Sequence, residues 1–288
     1  MELSTQDFTL FRDMLYERTG LMFDDKKLAF LRSRIERRAI ATSSLSSRMY
    51  YQLLKFQDPD GKEFQKLVEQ VTTNETYFFR EFPQLECFAN EALPRAMEKK
   101  RAAGDYTLNI WCACCSTGDE AYTLAIILHA CLDDFPKWKV RLWATDIDTI
   151  ALQTGQSAVY GSRNVKEVPE VYLQEYFLPS RDGEYRVAEV IRKMVEFEPF
   201  NLMDKSRMRM LKNFDFIFCR NALIYFDDSS RKQVLGHFYN ALVPGGFVFL
   251  GHSESVGRIT SAFEATSLAG TVAYRKPLPV LASAGGFQ

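Results

Sequence analysis

Asp146 stands directly after the apolar run Arg141 to Thr145, where a buried strand would end and a turn begin. In a nucleotide-binding α/β unit, an acid at the end of the second strand accepts both hydroxyl hydrogens of a ribose. The same residue type caps helices, and Ile147, Ile150 and Ala151 follow at helical spacing. Ribose ligand and helix cap both stand open for Asp146. Upstream, Cys114-Cys115-Ser116-Thr117-Gly118-Asp119-Glu120 joins the apolar run Leu108 to Ala113 to a helical pattern over Ala121 to Ala130. Such a turn brings backbone N–H groups to a ligand. It holds a single glycine, so the fingerprint G-x-G-x-x-G is not met and a pyrophosphate ligand is disfavoured. A cofactor without phosphates fits better. S-adenosylmethionine qualifies, since its sulfonium and ammonium groups require an acid such as Glu120. Glu120 equally suits a first-turn acid that complements the helix dipole.

The elements that must position these residues follow from the apolar rhythm. From about Phe8 to Val71 apolar residues recur at helical spacing, as in Leu28, Leu31, Ile35 and Ala39, which predicts a small helical unit. Asp58-Pro59-Asp60-Gly61 is a turn between two of its helices, and Glu98-Lys99-Lys100-Arg101 through Gly104-Asp105 reads as a polar hinge. Beyond it, Leu108 to Ala113, Arg141 to Thr145, Phe214 to Cys219 and Phe247 to Gly251 alternate with helical patterns, which predicts a parallel sheet covered on both faces. Glu184 to Val187 and Ile191 to Phe197 mark a β excursion, with Met194 to Phe197 a strand candidate and Arg181-Asp182-Gly183 a hairpin turn. Thr271 to Arg275 suits a closing edge strand. Leu242-Val243-Pro244-Gly245-Gly246-Phe247-Val248-Phe249-Leu250 reads as helix end, tight turn and strand.

With 288 residues, the chain has room for a large α/β unit beside a smaller one. The net charge of -1 excludes a globally basic nucleic-acid binder. No apolar run approaches the roughly 20 residues that span a bilayer, and no leader pattern opens the chain, so a cytoplasmic location is expected. Six cysteines, three of them in Cys112-Ala113-Cys114-Cys115, read as reduced buried thiols; the three histidines show no ligand spacing to them, so no metal is expected.

Five segments taken in order carry a family resemblance. Thr73-Asn74-Glu75-Thr76-Tyr77-Phe78-Phe79-Arg80, Ser116 to Glu120, Ala144-Thr145-Asp146-Ile147-Asp148, Phe218-Cys219-Arg220-Asn221-Ala222-Leu223-Ile224-Tyr225-Phe226-Asp227 and Leu250-Gly251-His252-Ser253-Glu254-Ser255 resemble the signatures of the CheR family of chemotaxis receptor methyltransferases. The resemblance implies an α/β fold: a class I, Rossmann-like S-adenosylmethionine-dependent methyltransferase sheet domain with an inserted small β subdomain and an all-α N-terminal domain. Mapped on this chain, it implies a helical domain with linker over 1–85, the methyltransferase domain over 86–276 with the insertion at about 160–200, and a loose tail over 277–288. Cofactor contacts would fall on Asn74, Thr76, Arg80, Glu120, Asp146, Asn201, Leu202, Arg220 and Asn221, with the Asn201 amide and the Leu202 backbone reading the adenine edge. The family usually has a small residue, often Gly, at Cys114, Glu at Asp119 and Pro at Ala121. Local packing changes are expected at Cys114 and Ala121, and a shifted contact at Asp119.

The implied reaction is methyl transfer from S-adenosylmethionine to chemoreceptor glutamates, giving methyl esters. A glutamate with a pKa of about 4.3 is already ionised at neutral pH, so no general base is needed; alignment and desolvation are the work. Arg80 is expected to fork onto a carboxylate, that of the substrate or of the cofactor. Tyr225 would place its hydroxyl beside the methyl group, or else serve as a half-buried core aromatic; Phe78 and Phe79 read as packing. Lys26 to Arg38 carries six basic residues against Glu36, with Lys27, Arg34 and Arg38 on one helical stripe. That stripe is expected to dock the acidic methylation helices of a receptor, or else to be a solvated face. The turn Pro179 to Gly183 is short for gripping a receptor C-terminal peptide, so tethering is not expected. A nicotinamide-dependent oxidoreductase would explain Asp146 but lacks its glycines, and a non-catalytic scaffold would not need intact Arg80, Glu120, Asp146 and Asn221.

Overall fold

The computed structural model describes residues 3–132, 134–268 and 270–279; the tail expected over 277–288 lies outside the described residues from 280 onward. Four helices come first: α1 (Thr5–Thr19), α2 (Leu28–Ala41), α3 (Ser47–Phe56) and α4 (Lys62–Val71). Ser4 caps α1 by accepting the Asp7 N–H, and the Asp58 carboxylate accepts the N–H groups of Glu63 and Phe64, which starts α4 where the turn ends. Phe11, Leu31, Ile35, Tyr50 and Leu67 close a core of their own between these helices.

Ten strands follow among the described residues: β1 (Thr107–Ala113), β2 (Lys139–Asp146), β3 (Val159–Tyr160), β4 (Phe177–Pro179), β5 (Tyr185–Val187), β6 (Val195–Pro199), β7 (Phe214–Cys219), β8 (Leu242–Leu250), β9 (Glu264–Leu268) and β10 (Thr271–Arg275). Seven make one sheet in the order β6-β2-β1-β7-β8-β10-β9, and β10 runs antiparallel to both neighbours. The excursion is a separate three-stranded sheet, β3-β5-β4, whereas β6 pairs with β2 in the main sheet. Strand order reverses between β1 and β7, and open α/β sheets bind ligands outside the carboxyl ends of strands at that reversal.

Two expectations change here. Glu98 to Arg101 is the last part of a helix, Leu93–Ala102, that buries Leu93 and Met97; Glu98, Lys99 and Arg101 face solvent, Lys100 pairs with the buried Asp215 at 3.0 Å, and the segment forms no hinge. β9 was not anticipated, because Glu264-Ala265-Thr266-Ser267 stays largely exposed at the sheet edge and only Leu268 is buried.

The helical unit is tied to the sheet by short, specific contacts. Tyr16 donates its hydroxyl to Asp227 at 2.8 Å, Leu21 bridges to Phe226, and the Met22 N–H donates to the Tyr225 carbonyl at 2.8 Å. Gly20 ends α1 at φ 74, and a Cβ there would lie 2.8 Å from the Phe226 ring. A side chain at that position would both strain the backbone and push the two units apart.

Candidate functional site

The carboxyl ends of β1, β2 and β7 open onto a cavity of about 370 Å³, lined by all ten residues expected to act: Asn74, Thr76, Arg80, Glu120, Asp146, Asn201, Leu202, Arg220, Asn221 and Tyr225. Thr19, Leu21, Met22, Phe23, Lys26, Lys27 and Phe30 add to its wall from the helical unit, a contribution no sequence pattern signalled.

The helix cap that stood open for Asp146 is supplied by its neighbour. Asp148 caps the helix Thr149–Ser157, accepting the N–H groups of Ile150 and Ala151 at 2.9 and 3.0 Å. Asp146 instead takes the Ser116 N–H at 2.7 Å and the Asp148 N–H at 2.9 Å, which turns its carboxylate onto the cavity. Each oxygen retains a lone pair beyond those bonds. Burial pushes its carboxyl up to about 6, against the pull of the Asp148, Ser116 and Ile147 backbone N–H groups. An ionised Asp146 accepts hydroxyl hydrogens with both oxygens, and a protonated one does not. Cofactor affinity is therefore expected to fall as pH drops through about 6, by up to tenfold per pH unit. Calorimetry from pH 5 to pH 8 checks this. For the cofactor-free protein the sign reverses: the raised carboxyl adds stability fully below its unfolded value of about 3.9, and that contribution is lost as pH rises through about 6.

The turn after β1 is strained into place. Cys114 and Ser116 hold φ 60 and φ 50, and Gly118 holds φ 88 with Phe197 so near that a Cβ would lie 2.9 Å away. Non-glycine residues in this region cost on the order of 1–3 kcal/mol each. A small residue suits Cys114 for its backbone conformation, so packing is not the main consequence of a cysteine there. Asp119 is fully buried, accepting from Thr117 and Asn164 at 2.6 and 2.8 Å; it ties this turn to the β excursion and does not line the cavity.

A second cluster holds the far wall. The Arg220 side chain is 2% exposed and donates to Glu120 at 2.7 Å, to the Arg80 carbonyl and to Glu81 at 3.4 Å. Glu81 also accepts from the Asn221 amide at 3.1 Å and the His252 N–H at 3.1 Å. Burial works to raise the Glu81 carboxyl, but Asn221, the Arg220 charge and the His252 N–H outweigh it and hold the group below its usual range. Glu81 was missed in the sequence, although it directly follows the block Asn74 to Arg80. Asn74 bridges two parts of the site, donating to Asp148 at 2.7 Å and accepting from Ser116 at 3.0 Å.

Three side chains expected to meet a ligand or partner are engaged within the protein. The Asn201 amide donates to the Arg18 carbonyl at 2.7 Å and accepts the Met203 N–H at 2.9 Å, so its side chain is held in place while it borders the cavity. Arg38 forks onto Glu63 at 2.9 and 2.8 Å, with Tyr50 donating to the same carboxylate, and its charge is neutralised within the helical unit. Arg34 donates to the Gln70 carbonyl at 3.0 Å and lies over the Phe30 ring. The basic stripe is thus largely used in folding, while Lys26 and Lys27 stand at the cavity wall. Arg80 uses one guanidinium nitrogen on the Glu75 carbonyl at 2.8 Å, and its side chain borders the cavity. Lys27 lies 5.4 Å from the centre of the Tyr225 ring.

All six cysteines are free thiols, and among the described residues no group of His, Cys, Asp or Glu is placed to hold a metal ion. No helix of the described residues is long and apolar enough to cross a membrane.

A sheet of this order with β10 reversed, a single-glycine turn after β1 and an acid ending β2 together define a class I S-adenosylmethionine-dependent methyltransferase. Residues 74–272 match the family described as CheR methyltransferase, SAM binding domain, and residues 6–72 match its all-alpha domain. The chain belongs to the CheR methyltransferase family. It is 38% identical to chemotaxis protein methyltransferase 2 of Vibrio cholerae serotype O1, over 96% of this chain and 94% of the relative. It is 33% identical to the chemotaxis protein methyltransferase of Escherichia coli strain K12, over 91% and 89%. Among solved structures, the N-methyltransferase NodS of Bradyrhizobium japonicum with S-adenosyl-l-homocysteine aligns with a TM-score of 0.40 and 14% identity, over 71% of this chain and 90% of that one.

Proposed function

We propose that this protein transfers a methyl group from S-adenosylmethionine to glutamate side chains of chemoreceptors, forming methyl esters for sensory adaptation in the cytoplasm. The observation that carries the reading is Asp146, which lies open to the cavity while Asp148 does the capping. The cofactor fits what lines that space: Asp146 for the ribose, Glu120 and Arg220 beside the turn after β1, Asn74, Thr76 and Asn221 around them, and the Leu202 backbone for the adenine. When bound, it supplies an electrophilic methyl carbon on a sulfonium.

The chain's own residues would do the rest. Among the described residues no histidine lines the cavity, and a glutamate substrate needs none, being ionised already at neutral pH. Arg80 has guanidinium donors left over from its bond to Glu75 with which to orient a carboxylate at the cavity. Tyr225 presents its ring on the same wall, held by Met22 and Lys27. Leu21, Met22, Phe23 and Phe226 line the side toward the helical unit and would exclude water from the attacking charge.

For the receptor's acidic methylation helices, the docking role stays with Lys27 and extends to Lys26, while Arg34 and Arg38 drop out of it. Lys26 is exposed and has no acidic partner among the described residues. Reversing it with Lys26→Glu is expected to raise the receptor KM by about fivefold, more so at low salt, and to leave cofactor affinity unchanged. Initial rates against receptor concentration at two ionic strengths check this. Arg38→Glu would instead set a carboxylate against Glu63 and lower thermal stability. Tethering to a receptor C-terminal peptide remains outside this reading, since β4 and the turn after it are short.

The test is to incubate the protein with methyl-labelled S-adenosylmethionine and receptor cytoplasmic fragments. Base-labile methyl esters on the fragments are expected; label absent, or stable to base, would contradict the reading.

A further inference from the structure

The segment that carries Arg220, Asn221 and Tyr225 leaves β7 by an unfavourable path. Asn221 holds φ 58, and Leu223–Tyr225 forms a single 3-10 turn. The N–H groups this path would leave without partners converge on one carboxylate. Glu254 accepts the N–H groups of Gly251 at 2.7 Å and Asn221 at 2.9 Å through Oε2, and that of Ile224 at 3.1 Å through Oε1. Gly251 makes the approach possible: a Cβ there would fall 2.7 Å from the Asn221 amide nitrogen and 2.9 Å from Glu254 Oε2. Burial raises the Glu254 carboxyl, and the surrounding backbone N–H groups oppose that rise. From the other side, the Met22 N–H holds the Tyr225 carbonyl.

We propose that Glu254 is a positioning residue for methyl transfer, which fixes Asn221 to Tyr225 so that Tyr225 faces the cavity. Glu254 itself stands behind the loop and is not part of the cavity wall. Arg220 is anchored separately, by Glu120, Glu81 and the Arg80 carbonyl, so it does not depend on Glu254, whereas Asn221 does. Misplacing a catalytic group by an ångström costs on the order of 10²-fold in rate. Loss of the clamp therefore falls on kcat.

The inference rests on the methyl-transfer reading above, and its test separates the two. Glu254→Gln keeps the shape and one acceptor oxygen but turns an amide N–H₂ toward backbone donors. In the full-length protein it is expected to lower kcat by roughly 10²-fold, with the cofactor Kd raised by no more than about tenfold through Asn221, the receptor KM within about threefold and the melting temperature little changed. Glu254→Asp, which keeps two acceptor oxygens, is expected to recover part of that loss. A Glu254→Gln kcat within about threefold of the wild type overturns the proposal. Should Glu254→Gln fail to fold, Glu254→Asp decides: a kcat loss of about tenfold at an unchanged melting temperature supports the proposal, and a wild-type kcat overturns it. Wild-type protein that forms no esters on the same fragments overturns the methyl-transfer reading and this one with it.

Discussion

Asp146→Ala is expected to weaken S-adenosylmethionine binding by about 10²-fold while the protein stays folded. Two hydroxyl hydrogen bonds to a charged acceptor are worth about 1.5 kcal/mol each or more, and a total near 3 kcal/mol corresponds to that factor. Folding survives because the two effects on stability oppose each other. Removing the carboxylate abolishes a charge that burial disfavours, whereas the N–H groups of Ser116 and Asp148 lose their acceptor. The cap of the following helix is untouched, since Asp148 provides it. Calorimetric titration and a thermal melt of the same preparation check both halves. A Kd within about threefold of the wild type would remove Asp146 from the cofactor site.

Arg220→Ala is expected to abolish detectable methyl transfer and to lower the melting temperature by about 10 °C. Glu120 and Glu81 would be left facing each other's surroundings without their cation, and breaking a buried pair from one side costs about 3–5 kcal/mol. The Arg80 carbonyl would lose a donor in the same step. Combining Arg220→Met with Glu120→Gln removes both charges of the shorter ion pair. That double variant should regain part of the lost stability without regaining activity. If it regained activity, Arg220 would be a structural cation and nothing more.

Much of this architecture was legible because strands buried on both faces read as continuous apolar runs. Phe214 to Cys219 is fully buried, and its expected bounds match β7. Asp146 was legible as a candidate ribose ligand because position after a strand is local information. Its competition with helix capping was not, since Asp146 and Asp148 lie two residues apart and composition cannot say which one turns inward. Partners distant in the chain were invisible for the same reason. The Arg38 charge is taken by Glu63, 25 residues away, and the Asn201 amide by the Arg18 carbonyl, 183 residues away. Glu81 and Glu254 lay inside or beside quoted motifs, yet nothing in spacing says that Glu81 sits at φ 57 beneath Arg220 or that Glu254 gathers backbone N–H groups. The helical unit's share of the cavity wall, from Thr19 to Phe30, arises from packing across the Gly20 turn, which a linear pattern does not encode.

The central claim is that the cavity at the ends of β1, β2 and β7 takes S-adenosylmethionine. Isothermal titration of the purified protein with S-adenosylmethionine, and with S-adenosylhomocysteine as product, tests it most directly. One saturable site per chain is the predicted result, weakened at pH 5 and by Asp146→Ala. Folded wild-type protein that gives no saturable heat with either compound would contradict the account.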